Sequence, residues 1–479
     1  MADFIRRIKD TKTTRWIRFG LVSLVFFLWV AWMDRWWLAV FWLLLLDIYI
    51  LGYIPFTWWK ESKSKVTQTL MGWVDAIVYA LVLVYFVFAF VGQNYEIPSS
   101  SLEKSLLTGD FLWVNKMVYG PRVPMTPVHF PLVHNKLFGM QSYAEWPQNG
   151  YRRLKGLRKV ETGDIVVFNF PAGDTVLTRY EDVRPEYYDQ LVEMYGRDQI
   201  AAHPEEFGEI KYRPVDRRQN YVKRAVGLPG QRIRISGDTV YIDGEMQPFP
   251  TEVQYNYLFA TDVPLYDDQL HELGIAASDI VALNGQASPE VLMTFLPGST
   301  PESYFYQAPL TAEMLENIPG MKAYVKFNTL QQHTDFIFPY GSTGTWTCSN
   351  FGGEEGLLIP AKGMTVSLDA DAWKRYQRVI RNYEGHEAYF DDASGKVIID
   401  GAPADTYTFA MDYYWMMGDN RDNSLDSRFW GFVPEDHIVG TPMLLLISFD
   451  RERGLFNGKI RWNRILRSAN SDKDKLFNQ

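Results

Sequence analysis

The first 92 residues of this chain are dominated by Trp, Phe, Leu, Val and Ile, whereas the remainder has the mixed charge and turn content of a water-exposed protein. No other feature constrains the fold as strongly, because an apolar stretch of about 20 residues satisfies its backbone in lipid only as a helix. The pattern divides into three runs, about residues 19–33, 36–59 and 71–92. They are separated by Asp34-Arg35 and by a polar link carrying Lys60, Lys63 and Lys65. A basic start (Arg6, Arg7, Lys9, Lys12, Arg15) precedes them, as in a cleaved secretory signal. The first run, however, ends in Asp34-Arg35-Trp36-Trp37 in place of small residues suited to cleavage, and a second run follows at once, so residues 1–92 read as a retained anchor. Trp16, Trp36, Trp37, Trp58, Trp59 and Trp73 lie near the run ends, where interfacial aromatic belts are expected. Lysines in the 60–65 link favour the cytoplasmic side together with the basic N-terminus, which places everything after Gly92 outside the cytoplasm. The first run is short and leaves a span and an interfacial segment both open; Asp47 and Asp75 read as structural carboxylates at helix ends or partner contacts.

Beyond the anchor, 479 residues with a formal net charge of −9 and no Lys/Arg tract exclude nucleic acid as the main partner. A single cysteine, Cys348, rules out an intramolecular disulfide, and the seven histidines show no metal-ligand spacing. Three serines, Ser99, Ser100 and Ser101, follow Pro98, whose fixed φ stiffens the approach, and Phe111-Leu112-Trp113-Val114 reads as the next strand. Residues 121–147 are an apolar, Pro-rich loop suited equally to a bilayer surface or to a core cover. Residues 163–171 form a turn and a buried strand, and a short helix is expected from Pro185 to Tyr195. Lys223 sits in an apolar strand, Tyr221 to Gly227, closed by Leu228-Pro229-Gly230; a lysine there is costly unless neutral or paired. Ile242-Asp243-Gly244 and Ile399-Asp400-Gly401 mark two β-hairpins. Residues 416–434 pack charges and hydroxyls into one loop, which requires a hydrogen-bonded network. Gly418-Asp419-Asn420 lacks the acidic spacing of a calcium loop.

Four blocks, in order, resemble the type I signal peptidases, the membrane-bound serine-lysine proteases. They are Ser99-x-Ser101 with Gly109-Asp110 and Tyr119-Gly120; Gly163-Asp-Ile-Val-Val-Phe168; Tyr221-Val-Lys-Arg-Ala-Val-Gly-Leu-Pro-Gly230; and Gly418-Asp-Asn-Arg-Asp-Asn-Ser-Leu-Asp-Ser-Arg-Phe-Trp-Gly431. The last two are long and chemically particular. The resemblance implies Ser101 as nucleophile, Lys223 as general base, Ser99 as side-chain donor to the oxyanion, and Ser424 as the residue that hydrogen-bonds and orients the lysine. It also implies a bracing ion pair of Asp426 with Arg428, and Gly418 at a conformationally demanding turn. Tyr95, Ile97, Pro98, Leu102, Leu106, Tyr221 and Val222 would line the substrate pockets, although Leu102 stands where the family usually has methionine. It further implies exported preproteins as substrates, membrane lipid and the protein export machinery as partners, no metal and no cofactor. The expected location is the bacterial cytoplasmic membrane, multi-pass, with the catalytic domain on the periplasmic side.

The expected fold is therefore mainly β. N-terminal transmembrane helices (1–92) precede a signal-peptidase-like catalytic part of antiparallel sheets (93–249 and 395–479), interrupted by a mostly β insertion at 250–394 of unassigned role. Two other readings compete: a soluble, DNA-linked self-cleaving serine-lysine protease, disfavoured by the anchor and acidity, and a membrane-tethered binding protein that keeps the fold without catalysis. The C-terminal Arg461-Trp462-Asn463-Arg464 patch is a candidate lipid contact or a solvated strand end.

Overall fold

The computed structural model describes residues 2–179, 187–248, 253–326, 337–339, 346–454 and 456–469. Four helical segments open the chain: α1 (Ala2–Asp10), α2 (Thr13–Met33), α3 (Trp36–Leu51, of mixed helical type) and α4 (Lys65–Val91). Among the described residues, α2 and α4 are the two helices long and apolar enough to cross a bilayer. This reverses the expectation about which run is short. The first helix begins at Thr13 and has 21 residues. The second stops at Leu51, where Gly52 turns left-handed (φ 62°), so it reaches only roughly 25 Å of the ~30 Å hydrocarbon core. Asp47, buried in α3, explains the stop: its carboxylate accepts the N–H groups of Tyr53 (2.8 Å) and Ile54 (3.0 Å) and so caps the turn.

α3 folds back along α2. Trp42 Nε1 donates to Ser23 Oγ at 2.9 Å, and the Phe19 and Trp42 rings lie 5.5 Å apart. Arg7 donates to Leu51 O at 2.8 Å and sits over the Tyr53 ring, so the N-terminus and the lysine-bearing link share one end. The other end docks on the aqueous part. Met33, Phe90, Val123 and Leu154 form one cluster, and Tyr85 Oη donates to Pro127 O at 2.9 Å.

The aqueous part is built on a bent seven-stranded antiparallel sheet. Its strands are β1 (Gly92–Glu96), β2 (Asp110–Asn115), β3 (Ile165–Asn169), β4 (Asn220–Gly227), β5 (Tyr413–Met417), β6 (Val433–Pro434) and β7 (Ile438–Ser448), in the spatial order β1-β2-β7-β3-β4-β5-β6. Continuous apolar runs make β3 and β5 fully buried, as strands covered on both faces must be. The register pairs Ile165 with Arg224 and Val166 with Lys223, which holds Lys223 in the middle of the sheet.

The Ile-Asp-Gly signatures mark tight turns with both central residues left-handed. Asp243 (φ 52°) and Gly244 (85°) join Ile242 to Glu245, and Asp400 (49°) and Gly401 (81°) join Ile399 to Ala402. That geometry matches the twist of the flanking strands. The expected helix near 185–195 runs from Tyr187 to Tyr195; Pro185 lies outside the described residues.

The inserted region is smaller than expected and not mostly β. Residues 255–326 make a self-contained unit in which strands Tyr255–Thr261, Tyr304–Leu310 and Met321–Lys326, with Val281–Ala282, form one sheet. Helices Asp267–Leu273, Pro289–Phe295 and Ala312–Asn317 cover it with two small cores of their own. Residues 346–394 do not belong to that unit. Their apolar side chains, Phe351, Ile359, Trp373, Tyr376 and Ile380, pack with Ile233, Ile235, Trp415 and Phe432 in the largest core. Parts of the insertion, 327–336 and 340–345, lie outside the described residues.

The segment between β1 and β2 is pinned at its base by Ile97 N–H to Asp110 O and Gly109 N–H to Ile97 O, both 2.9 Å. At Gly109 the backbone is left-handed (φ 88°), and a Cβ would lie 2.1 Å from Phe449 O. Gly109→Ala is therefore expected to cost at least about 1–3 kcal/mol, read as a lowered thermal unfolding midpoint against Gly139→Ala, where a Cβ meets nothing within 4 Å.

Candidate active site

Pro98 and a bend at residues 99–100 lead into a run of turns over Ser101–Leu106, seated by Leu106 N–H to Leu102 O (2.8 Å) and Glu103 N–H to Ser100 O (2.9 Å). The seat is apolar: Ile97, Leu102 and Leu106 are buried with Leu112, Val167 and Leu445. Ser101 is thereby lifted against β4, where Lys223 Nζ donates to Ser101 Oγ at 2.6 Å. Lys223 is 3% exposed, and its Nζ lies 5.8 Å from the Tyr221 ring centroid. Burial lowers its pKa to about 8, against the opposing pull of Asp426 and Asp419. A hydroxyl next to an amine that is easily neutral is the pairing needed for nucleophilic attack.

The loop after β5 holds this pair. Asn420 N–H donates to Ser101 O (3.1 Å), and its side-chain amide donates to Ser100 O (3.3 Å). Asp426 and Arg428 form a bidentate ion pair (2.9 and 2.8 Å); Arg428 also donates to Arg421 O (2.6 Å), and Gly418 N–H donates to Asp426 (3.1 Å). Burial alone would raise the Asp426 pKa, but the Arg428 guanidinium and the Gly418 N–H hold it below the usual carboxylate range.

A second buried pair was not anticipated. Arg224 grips Asp419 through Nε (2.8 Å) and Nη2 (2.6 Å), while Ser105 Oγ donates to the same carboxylate at 2.7 Å. Arg224 also donates to Gly163 O at 2.9 Å, so three of the four sequence blocks meet at one guanidinium. The signal lay in the sequence: an arginine directly after Lys223 in a buried strand requires a carboxylate.

Two expectations need correction. Ser424 is buried beneath the pair, but its hydroxyl makes no hydrogen bond, so the expected contact with Lys223 is absent; the lysine's donor goes to Ser101 Oγ instead. Gly418 is not left-handed. It is required by close approach, because a Cβ there would lie 2.2 Å from Ser424 Oγ and 2.6 Å from Ser101 O.

The expected pocket residues divide by strand alternation. Tyr95 and Val222 are half-buried on the face shared with Ile97, Leu102 and Leu106. Those three are covered completely and form the floor of that face, since apolar side chains are driven out of water. Tyr221 points the other way, stacking on Phe170 (ring centroids 4.7 Å) and meeting Trp430 edge-on (5.5 Å). Ser99 and Pro98 are exposed beside Ser101. At the C-terminal end, Arg464 is not a lipid contact: it is buried in an ion pair with Asp110 (2.6 Å), and Arg461 donates to Thr108 O (2.9 Å).

The inserted unit reaches the same loop. Gln254 N–H donates to Asp419 O and Arg421 N–H donates to Gln254 O, both 2.9 Å, and Asn256 N–H donates to Asp422 at 2.7 Å.

The candidate site is thus a serine hydroxyl against a buried lysine amine, carried on an antiparallel sheet and braced by buried ion pairs. The family model described as "Signal peptidase, peptidase S26" matches residues 70–284 and 361–447, and the chain belongs to that family. Among curated proteins it is similar to signal peptidase I of Buchnera aphidicola subsp. Acyrthosiphon pisum, 24% identical over 85% of this chain and 84% of that protein. It is also similar to signal peptidase I of Haemophilus influenzae, 21% identical over 85% and 78%. With signal peptidase I of Aquifex aeolicus it shares 61% identity over 36 residues, 8% of this chain and 14% of that one.

Removing one partner of a buried pair leaves the other charge uncompensated. Arg224→Met is expected to lower stability by about 3–5 kcal/mol in denaturant unfolding, with Arg224→Met/Asp419→Leu recovering much of that loss.

Proposed function

We propose that this chain is a signal peptidase I, a membrane-anchored serine endopeptidase that removes N-terminal signal peptides from exported preproteins. The observation that carries the reading is the 2.6 Å contact between Ser101 Oγ and a buried, readily neutral Lys223. Family membership and the similarity to signal peptidase I over 85% of the chain support it.

In the proposed mechanism Ser101 Oγ attacks the scissile carbonyl carbon while neutral Lys223 takes its proton. The resulting ammonium returns that proton to the departing amine, leaving an acyl-enzyme on Ser101. Lys223 then takes a proton from water, which attacks the ester, and gives it back to Ser101 Oγ as the product acid leaves. Among the described residues the Ser101 N–H donates to no backbone acceptor, and with the exposed Ser99 hydroxyl it is assigned to the oxyanion. The Asp426–Arg428 and Arg224–Asp419 pairs are assigned the positioning of the loop that holds Ser101. An extended substrate would lie along Tyr95 and Val222, with Pro98 at its edge and the Ile97, Leu102 and Leu106 floor beneath. The shared end of the N-terminus and the 60–65 link, both basic, supports a cytoplasmic location for that end and an extracytoplasmic catalytic domain.

The test is cleavage of a preprotein bearing a small-x-small site by the full chain in detergent. Ser101→Ala and Lys223→Met are each expected to abolish cleavage with the fold intact by circular dichroism, and Ser99→Ala to slow it by about 10²–10³. Equal activity of all four proteins would overturn the reading.

Because only the neutral amine accepts a proton, and burial has lowered its pKa to about 8, kcat/KM should rise with pH up to about 8 and then level. A rise persisting to pH 10, the range of a solvated lysine, would show that burial does not lower the pKa of the base.

A further inference from the structure

Where α4 ends and meets the sheet, a cavity of about 180 Å³ lies between Tyr85, Phe88 and Ala89 of the helix and the loop at 122–134. Three cations line it, Lys116, Arg122 and Arg217, against one carboxylate, Asp216. That carboxylate is already engaged, accepting both the N–H (2.8 Å) and the hydroxyl (2.7 Å) of Thr126. Arg217 is 5% exposed; its Nη1 donates to His134 O at 3.1 Å, but among the described residues its Nε–H has no hydrogen-bond acceptor, the nearest Asp216 oxygen being 4.0 Å away. A buried guanidinium N–H without an acceptor is costly, and an anion entering the cavity would satisfy it.

The surroundings indicate the kind of anion. Lys116 Nζ donates to Phe88 O in the last turn of α4, at 2.5 Å, so the cation lies at the level where that apolar helix ends. The loop over the cavity turns Val128, Phe130 and Leu132 to the outside, with Phe138 and Met140 exposed on the hairpin that follows. Apolar side chains outward, cations inward and a helix ending at the same level is the arrangement of the acyl–headgroup boundary. Burial, then the neighbouring Arg122, lowers the Lys116 pKa to about 7, as expected of a desolvated cation beside another.

We propose that this cavity binds the phosphate of an anionic lipid headgroup, with Arg217 and Lys116 as its ligands. The proposal rests on the membrane-anchored reading of the chain. A bound headgroup would fix the depth at which α4 delivers Tyr95 and the catalytic strands to the bilayer surface, since Gln93 and Tyr95 of β1 line the same cavity.

The experiment uses the full chain in an uncharged detergent, titrated with short-chain phosphatidylglycerol, short-chain phosphatidylcholine and inorganic phosphate, with bound lipid counted by native mass spectrometry. Phosphatidylglycerol should bind one to one and phosphatidylcholine at least 10-fold more weakly. Arg217→Gln and Lys116→Gln should each weaken phosphatidylglycerol at least 10-fold, while Lys374→Gln, at an exposed lysine away from the cavity, binds as wild type. Lys116→Gln removes a desolvated charge and so tests the site even where Arg217→Gln fails to fold. Equal binding of the two lipids, or wild-type binding by Lys116→Gln, overturns the site. Inorganic phosphate binding as tightly as phosphatidylglycerol overturns the lipid source. Extraction of the chain from membranes by high salt without detergent would overturn the membrane-anchored reading instead, whatever the titration gives.

Discussion

A lysine amine buried in the middle of a β-sheet is the constraint on which the rest of this structure depends. Desolvation makes the charged form costly, so the amine is readily neutral, and its hydrogen-bond partner is the Ser101 hydroxyl at 2.6 Å. Everything nearby serves to keep the two together while the surroundings remain dry. Strand pairing of β4 with β3 on one side and β5 on the other places Lys223 inside the sheet, where it is buried, and the apolar floor of Ile97, Leu102 and Leu106 raises the serine to meet it.

The surrounding charges are arranged in pairs for the same reason. Arg224 follows Lys223 on the opposite face of β4 and is matched by Asp419, while Arg428 is matched by Asp426. One pair ties the loop after β5 to other segments, and the other closes the loop on itself. Arg224 joins it to Gly163 and Ser105, and Arg428 closes it onto Arg421. Buried pairs of this kind add little net stability but give a loop one geometry, and here that geometry presses Asn420 onto the main chain of Ser100 and Ser101. Asn256 of the 255–326 unit and Gln254 just before it add a further tie, which gives the insertion a physical connection to the loop.

The anchor and the aqueous part are joined by contact as well as by the chain. Met33 and Phe90 pack on Val123 and Leu154, and Tyr85 bonds to Pro127. The strands of the candidate site therefore start at a set distance from the end of α4, because β1 follows that helix without a linker.

Residue type and short-range pattern by themselves determined the apolar N-terminal helices, the two Ile-Asp-Gly turns and the buried strands around Lys223, while the pairing of Asp426 with Arg428 came from the resemblance to a family. The helices, turns and strands follow from local rules: an apolar run, or two adjacent left-handed residues. Only the tertiary structure decided the rest. The extent of the first two helices turned on Asp47 capping a turn six residues on, and the limits of the insertion on which core Phe351 and Trp373 join. The Arg224–Asp419 pair spans 195 residues of sequence. Ser424 lost its expected bond and Gly418 proved to be needed for space, since both depend on distances between segments that approach one another only when the sheet has closed. Chemistry that acts within a turn is written where it acts, whereas chemistry that acts across a fold is set by which distant segments the packing brings within 3 Å.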